Sequence, residues 1–181
     1  SFSSGTSELP EVSFTIRERG DFTSGISTLQ PGTTLFLDGP YGHFSYTRHQ
    51  AQGFVFIAGG IGVTPVLSML RTLASEHDDR PLHLIYAASS IERVISREEL
   101  DRLTDSLDLE ITYVLSAPSP DWTGERGRLD PETLVRLLAA NTTGYHFFVC
   151  GPDGLMDMVE KTLSKQGVSF GRIHSERFDL V

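Results

Sequence analysis

The chain has 181 residues, 39% of them hydrophobic, enough for one good core or a core with a fragment of a second. Its 15 basic and 24 acidic residues leave a net charge of −9, which argues against a nucleic-acid surface and requires any anion site to be built locally. A lone cysteine excludes a disulfide framework, a cysteine-ligated iron–sulfur cluster within the chain and a structural zinc ribbon, and it fits a reducing compartment.

In chain order, the first part is expected to be antiparallel β structure. Short alternating runs occupy Glu11 to Glu18 and Thr33 to Leu37, with turn signals at Gln30-Pro31-Gly32 and Asp38-Gly39-Pro40. These strands are too few to close a barrel, and the chain opens on Ser1-Phe2-Ser3-Ser4 without an initiating Met, so a fragment of a longer chain is expected. From Gly53 the texture changes to alternating apolar strands and amphipathic helices. Strands are expected at Phe54 to Ala58, Leu82 to Ala87, Leu109 to Leu115, Tyr145 to Val149 and near Gly171 to Glu176. Helices are expected at Val66 to Glu76, Arg97 to Thr104, Pro131 to Ala140 and Leu155 to Gln166. The pattern predicts an α/β fold, a doubly wound parallel sheet over 51–181, preceded by a smaller β unit over 1–50.

Two glycine motifs each follow a buried-looking strand, Gly59-Gly60-Ile61-Gly62-Val63-Thr64-Pro65 and Cys150-Gly151-Pro152. In an open parallel sheet, ligands bind outside the carboxyl ends of the strands, where this order places both turns. Gly59, Gly60 and Gly62 permit positive φ and close approach of a ligand. Thr64 suits the N-cap and Pro65 the first helical position, which gives a preset helix start that favours a pyrophosphate. No Gly-Lys-Ser or Gly-Lys-Thr follows, which excludes a nucleotide-hydrolase phosphate loop. A ligand-free tight turn would select the same glycines. Cys150 reads either as a core thiol or as a wall against the reactive ring of a cofactor, with Gly151 leaving room for it. No His is spaced to activate it as a nucleophile. The six histidines, His43, His49, His77, His83, His146 and His174, show no metal-ligand spacing, so no metal is expected. No apolar run reaches the roughly 18 to 20 residues needed to cross a bilayer and no signal peptide is visible, so a soluble chain is expected.

The order of motifs resembles the flavin and nicotinamide module of the ferredoxin–NADP reductase superfamily, and within it ferric reductases and NADPH oxidases. Ser1-Phe2-Ser3-Ser4 is similar to the tail of the flavin-holding His-Pro-Phe-Ser or Arg-x-Tyr-Ser motif. Thr15-Ile16-Arg17 and Gly20-Asp21-Phe22-Thr23 resemble the next flavin-side segments, and Gly39-Pro40-Tyr41-Gly42 the domain-closing turn. Gly59 to Pro65, Cys150-Gly151-Pro152 and the tail His174-Ser175-Glu176-Arg177-Phe178 complete the set. The resemblance implies a partial FAD-binding β-barrel over 1–50 and an NAD(P)H-binding domain over 51–181. It implies hydride transfer from NADPH, or NADH, to FAD in the complete protein, and onward electron transfer to haem, ferric iron or oxygen.

The resemblance also assigns roles. Ser1 would hold the flavin, Arg17 would pair with its pyrophosphate, and Thr23 would cap a short helix facing the same group. Spacing alone reads Arg17 as a solvated edge charge. Thr64 would reach the ring edge, Cys150 and Gly151 would place the nicotinamide carbon near flavin N5, Glu176 would be a polar neighbour of the flavin, and Phe178 would stack on it. Simple core packing is the other reading of Phe178, and the chain continues through Asp179-Leu180-Val181 where the oxidases end on the aromatic. Gly59, Gly60, Gly62, Val63, Pro65 and Pro152 would line the coenzyme. No carboxylate precedes Glu92 at the end of the second strand, so Ser89, Ser90 and Arg93 suit a 2′-phosphate and NADPH, a solvated loop charge being the other reading of Arg93; Arg126 and Arg128 are further candidates or equally rim charges. The partners implied are a preceding flavin segment and a transmembrane haem domain, in the cytoplasm or at the cytoplasmic face of a membrane. A non-catalytic nicotinamide-binding partner of a separate flavoprotein is the other reading. Weak or no FAD binding is expected of these 181 residues alone.

Overall fold

A computed structural model of the chain describes residues 1–39, 41–138 and 142–178. After the short helix α1 (Asp21–Ile26), the chain builds strands and helices in strict alternation: β1 (Gly53–Gly59), α2 (Val63–Ser75), β2 (Leu82–Ala88), α3 (Arg97–Leu103) and β3 (Leu109–Leu115). A two-residue strand β4 (Glu125–Arg126), α4 (Pro131–Leu137), β5 (Tyr145–Cys150), α5 (Asp153–Lys165) and β6 (Ile173–Glu176) complete it. The strands form one six-stranded sheet in the order β4-β3-β2-β1-β5-β6, with every pair parallel. The order runs outward from β1 through β4 and then returns to the other side of β1. The topological switch point therefore lies between β1 and β5.

Central strand β1 is buried along its whole length because both of its faces are covered. Phe54 and Phe56 pack with Phe148 and with Leu67, Leu70 and Leu73 of α2 on one face. Val55 and Ile57 pack with Phe147, Val149 and with Met156, Val159 and Leu163 of α5 on the other. A period-2 strand thus sends alternate side chains into two separate cores, each closed by amphipathic helices. No helix among the described residues is long and apolar enough to cross a membrane.

The strand expectations over 51–181 hold, with small shifts at helix starts. Helix α2 begins at Val63 with Gly62 at the N-cap, so Thr64 and Pro65 lie inside the first turn and neither caps nor opens it. Ala139 and Ala140, expected in the helix after Pro131, lie outside the described residues, as do Pro40 and the three residues after Phe178.

The first fifty residues depart from expectation. Neither Glu11 to Glu18 nor Thr33 to Leu37 forms a strand. A strand persists only when its N–H and C=O row is paired, and neither run meets another strand among the described residues. Two pieces do dock on the α/β body. Ser3 and Ser4 are buried, the Arg71 guanidinium donates to the Ser3 carbonyl at 2.6 Å, and the Ser68 hydroxyl donates to that of Ser4 at 2.6 Å. Gly5 lies so close to α2 that an added Cβ would stand 2.8 Å from Arg71 Cβ. Tyr46 is buried against Phe54, and Phe44 meets Phe148 edge-on. Between these anchors, Phe22, Leu35, Phe36 and Tyr41 are exposed, Phe36 by 96%.

Candidate dinucleotide-binding site

At the switch point the two glycine loops interlock. Ala58 pairs with Cys150 across β1 and β5, so both strands end level. Gly62 then passes so close to the second loop that a Cβ there would lie 2.2 Å from the Cys150 carbonyl oxygen and 2.7 Å from the Gly151 nitrogen. A Cβ at Gly59 would strike Leu155 and Pro152 at 2.6 and 2.8 Å. Only Gly60 of the first loop takes positive φ, at 54°, and a Cβ there would meet nothing within 4 Å. The glycines divide the work: Gly62 admits the Cys150–Gly151 backbone, Gly59 admits the Leu155 and Pro152 side chains, and Gly60 keeps its outer face bare. Helix α2 starts here with no side-chain cap and no acidic residue in its first turn, so its positive end is not offset locally. That donor set fits a pyrophosphate.

Val63, Thr64 and Pro65 are buried in the first turn, and Pro152 stands as N-cap of α5. The Cys150 thiol is fully buried, and burial, reinforced by the nearby Glu176 charge, pushes it up to about 12. It is a neutral thiol and not a thiolate. Cys150 pairs with Glu176 across β5 and β6. The Ser1 hydroxyl donates to Glu176 Oε1 at 3.5 Å, and a Cβ on Gly42 would lie 3.9 Å from Glu176 Oε2. Ser1, Gly42, Cys150 and Glu176, drawn from both ends of the chain, therefore meet at one strand end, with half-exposed Phe178 just beyond.

Arg17 and Thr23 do not join that group. Arg17 is exposed and Thr23 half-buried, and Thr23 does not cap α1: Gly20 occupies the cap, and the Thr23 hydroxyl turns back to accept from Arg19 N–H at 2.6 Å and donate to the Arg19 carbonyl at 2.7 Å. Ser89 and Arg93 are exposed after β2, with Arg93 closing a 3-10 turn. Beside them, the Ser90 hydroxyl holds the Glu92 carboxyl below the usual carboxylate range. Arg126 is committed elsewhere, donating to the carbonyls of Ser119, Pro120 and Trp122.

Three features lie beyond the sequence reading. The Tyr86 hydroxyl donates to the Gly60 carbonyl at 2.9 Å and accepts from Ile95 N–H at 3.2 Å, which braces the loops after β1 and β2 together. A tyrosine near the end of a largely aliphatic strand was the available signal. Arg177 ties the tail to α5 through Asp157 at 2.6 Å and Glu160 at 3.2 Å, which fixes the direction in which Glu176 and Phe178 leave the sheet. His49, His146 and His174 also come together, and no spacing in the sequence announces it.

A doubly wound sheet with paired glycine turns at its switch point defines a dinucleotide-binding domain. Residues 56–161 match the family model described as the oxidoreductase NAD-binding domain. The chain is 33% identical over 177 residues to a ferredoxin–NADP reductase B of Sorangium cellulosum, covering 93% of this chain and 72% of that one. It is 30% identical over 170 residues to an NADH-cytochrome b5 reductase 1 of Neosartorya fischeri, covering 90% of this chain and 55% of that one, so it spans about half that relative's length. The crystal structure of the cytochrome b5 reductase domain of Ulva prolifera nitrate reductase superposes with a TM-score of 0.76 at 26% identity, over 87% of this chain and 64% of that one. The chain belongs to the ferredoxin–NADP reductase superfamily and carries its nicotinamide-binding domain.

Proposed function

We propose that this chain is the coenzyme half of an NAD(P)H-dependent flavin oxidoreductase that passes hydride from NADPH to FAD and electrons onward to a one-electron acceptor. The observation that carries the reading is the interlock of Gly62 with Cys150 at the switch point, which sets a pyrophosphate-binding helix start beside a neutral, fully buried wall. FAD, when bound, supplies the hydride-accepting ring and the capacity to release electrons singly. The chain's own task is positioning, with reacting atoms about 3 to 3.5 Å apart. Gly60 and the start of α2 hold the pyrophosphate, Cys150 and Gly151 back the nicotinamide, and Thr64 lies beneath it. Ser1 and Glu176 face the flavin, and Phe178 covers the ring until the coenzyme arrives.

Residues 1–50 are assigned to the flavin-binding unit and 51–181 to the coenzyme-binding unit. On this reading the bare aromatic side chains of the first unit, together with Arg17 and Thr23, pack on flavin and on strands of a preceding segment. Ser1 beside Glu176 supports a catalytic module over a non-catalytic partner of a separate flavoprotein. The names of the relatives favour a haem or iron–sulfur protein as acceptor. A ferric reductase or NADPH oxidase setting, with a transmembrane haem domain and a site at the cytoplasmic membrane face, rests on the motif resemblance alone.

Coenzyme choice is a contest between neighbours. Arg93 and Ser89 attract a 2′-phosphate, while the ionised Glu92 between them favours ribose hydroxyls. We infer that Arg93 prevails. The test is anaerobic: FAD is added to the protein, then NADPH or NADH, and loss of oxidised flavin absorbance is followed against a protein-free control. Protein-dependent bleaching, faster with NADPH and with that advantage lost in Arg93→Ala, would establish a flavin reductase whose active centre lies within these residues. No bleaching, with NADPH binding still measurable by calorimetry, would leave the chain as a coenzyme-binding unit only.

A further inference from the structure

We propose that His49, His146 and His174 form a binding site for a late first-row divalent cation: zinc, nickel or copper(II). The three residues come from separate parts of the chain. His49 follows the 3-10 turn at Tyr46–Arg48, His146 is the second residue of β5, and His174 is the second residue of β6. One ring nitrogen from each lies within 4.8 Å of the others. His146 Nδ1 and His174 Nε2 are 2.9 Å apart. That contact is a hydrogen bond, and tetrahedral zinc with Zn–N of about 2.0 to 2.1 Å spaces its nitrogens about 3.3 to 3.4 Å apart, so the pair has to open by about 0.5 Å to share a cation. A cation would take the place of the shared proton, the donor imidazole shifting that proton to its other ring nitrogen.

The chemistry of the donor set is selective. Three imidazoles with no carboxylate suit zinc, nickel and copper(II) over magnesium or calcium, which take oxygen ligands. All three side chains are half-buried, open enough for a cation to enter and enclosed enough to be oriented. His49 stacks on His174 with ring centroids 3.9 Å apart, and the Phe148 ring lies 4.8 Å from that of His174, so the rings are held by packing on two sides.

The site is distinct from the coenzyme crevice. His146 and Cys150 are four residues apart on β5, about 13 Å along the strand. What a cation would cross-link is the segment entering β1 and the β5–β6 edge of the sheet. It would staple the docked end of residues 1–50 to the coenzyme domain.

The experiment uses chelator-treated protein without a polyhistidine tag, titrated with zinc by calorimetry and with copper(II) by electron paramagnetic resonance. One equivalent should bind, copper should show coupling to several nitrogens, and zinc should raise the melting temperature. His49→Gln, His146→Gln and His174→Gln should each weaken zinc binding by about 100-fold or more, the upper end of what losing even an outer-shell partner costs. His43→Gln and His77→Gln should bind as the parent does, and unchanged NADPH affinity in each variant shows that it folds. Because His49 lies outside the sheet, His49→Gln keeps the test open if the strand variants misfold. Absence of saturable zinc binding in the parent, or a triple variant that binds zinc as tightly as the parent, would overturn the site.

Discussion

The α/β body and the segment between residues 9 and 43 contain similar apolar side chains and treat them in opposite ways. In the body, Phe54, Phe56, Phe147 and Phe148 are fully buried, each on a strand with neighbours on both sides. In the segment, Phe22 and Phe36 are 84% and 96% exposed, and runs that alternate as strands do form no ladder. Periodicity records which face of a strand is meant for a core. It does not record whether the partner strand is in the same chain. The contrast separates a body whose apolar side chains are packed from a segment whose apolar side chains stand exposed.

Paired truncations should break this comparison most sharply. Phe148→Ala should cost about 3 to 5 kcal/mol in denaturant unfolding, the range for truncating a buried aromatic, whereas Phe36→Ala should stay within about 0.5 kcal/mol. Equal costs would mean that the segment packs in solution. Next is Gly62→Ala, where a methyl would collide with the Cys150 carbonyl. A loss of about 3 kcal/mol, the top of the range for overpacking, is expected together with loss of NADPH binding in calorimetry.

Tyr86→Phe is a smaller perturbation inside the body. It removes one hydroxyl and leaves the Ile95 amide without its partner, for about 1 to 2 kcal/mol and a measurable rise in the NADPH dissociation constant. The smallest effect is a pH slope. The Cys150 thiol stays protonated in the fold to about 12, against an ordinary value of 9.0 once unfolded. Above pH 9 the unfolded chain therefore releases a proton that the native chain keeps, and stability falls as pH rises toward 12. Cys150→Ala should flatten that decline by one proton's worth, read from urea midpoints across the alkaline range.

The same contrast shows how far the sequence could be read. Alternation and turn residues placed all five long strands of the sheet and their helices, because each of those elements finds its partners within reach of the local pattern. Helix starts were less legible. Thr64-Pro65 has the chemistry of a helix opening, but the backbone had already turned helical at Val63 through the 3-10 turn Gly60–Gly62. The glycine loops were visible as tight turns at the ends of two strands, though the reason for Gly59 and Gly62 was not. Gly62 is a glycine because the Cys150 backbone passes close to it and Gly59 because the Leu155 and Pro152 side chains do, while Gly60 faces outward bare. Tyr86 and the three histidines escaped because their roles exist only after distant segments meet, and no local periodicity encodes a meeting between His49 and the far strands.

The Tyr86 hydroxyl has a mechanical consequence. By holding the Gly60 carbonyl and the Ile95 amide at once, it makes the loop beside Arg93 and the loop at the head of α2 a single linkage. A disturbance at the end of β2 is then felt at the head of α2, so substitutions there should alter turnover as well as coenzyme affinity.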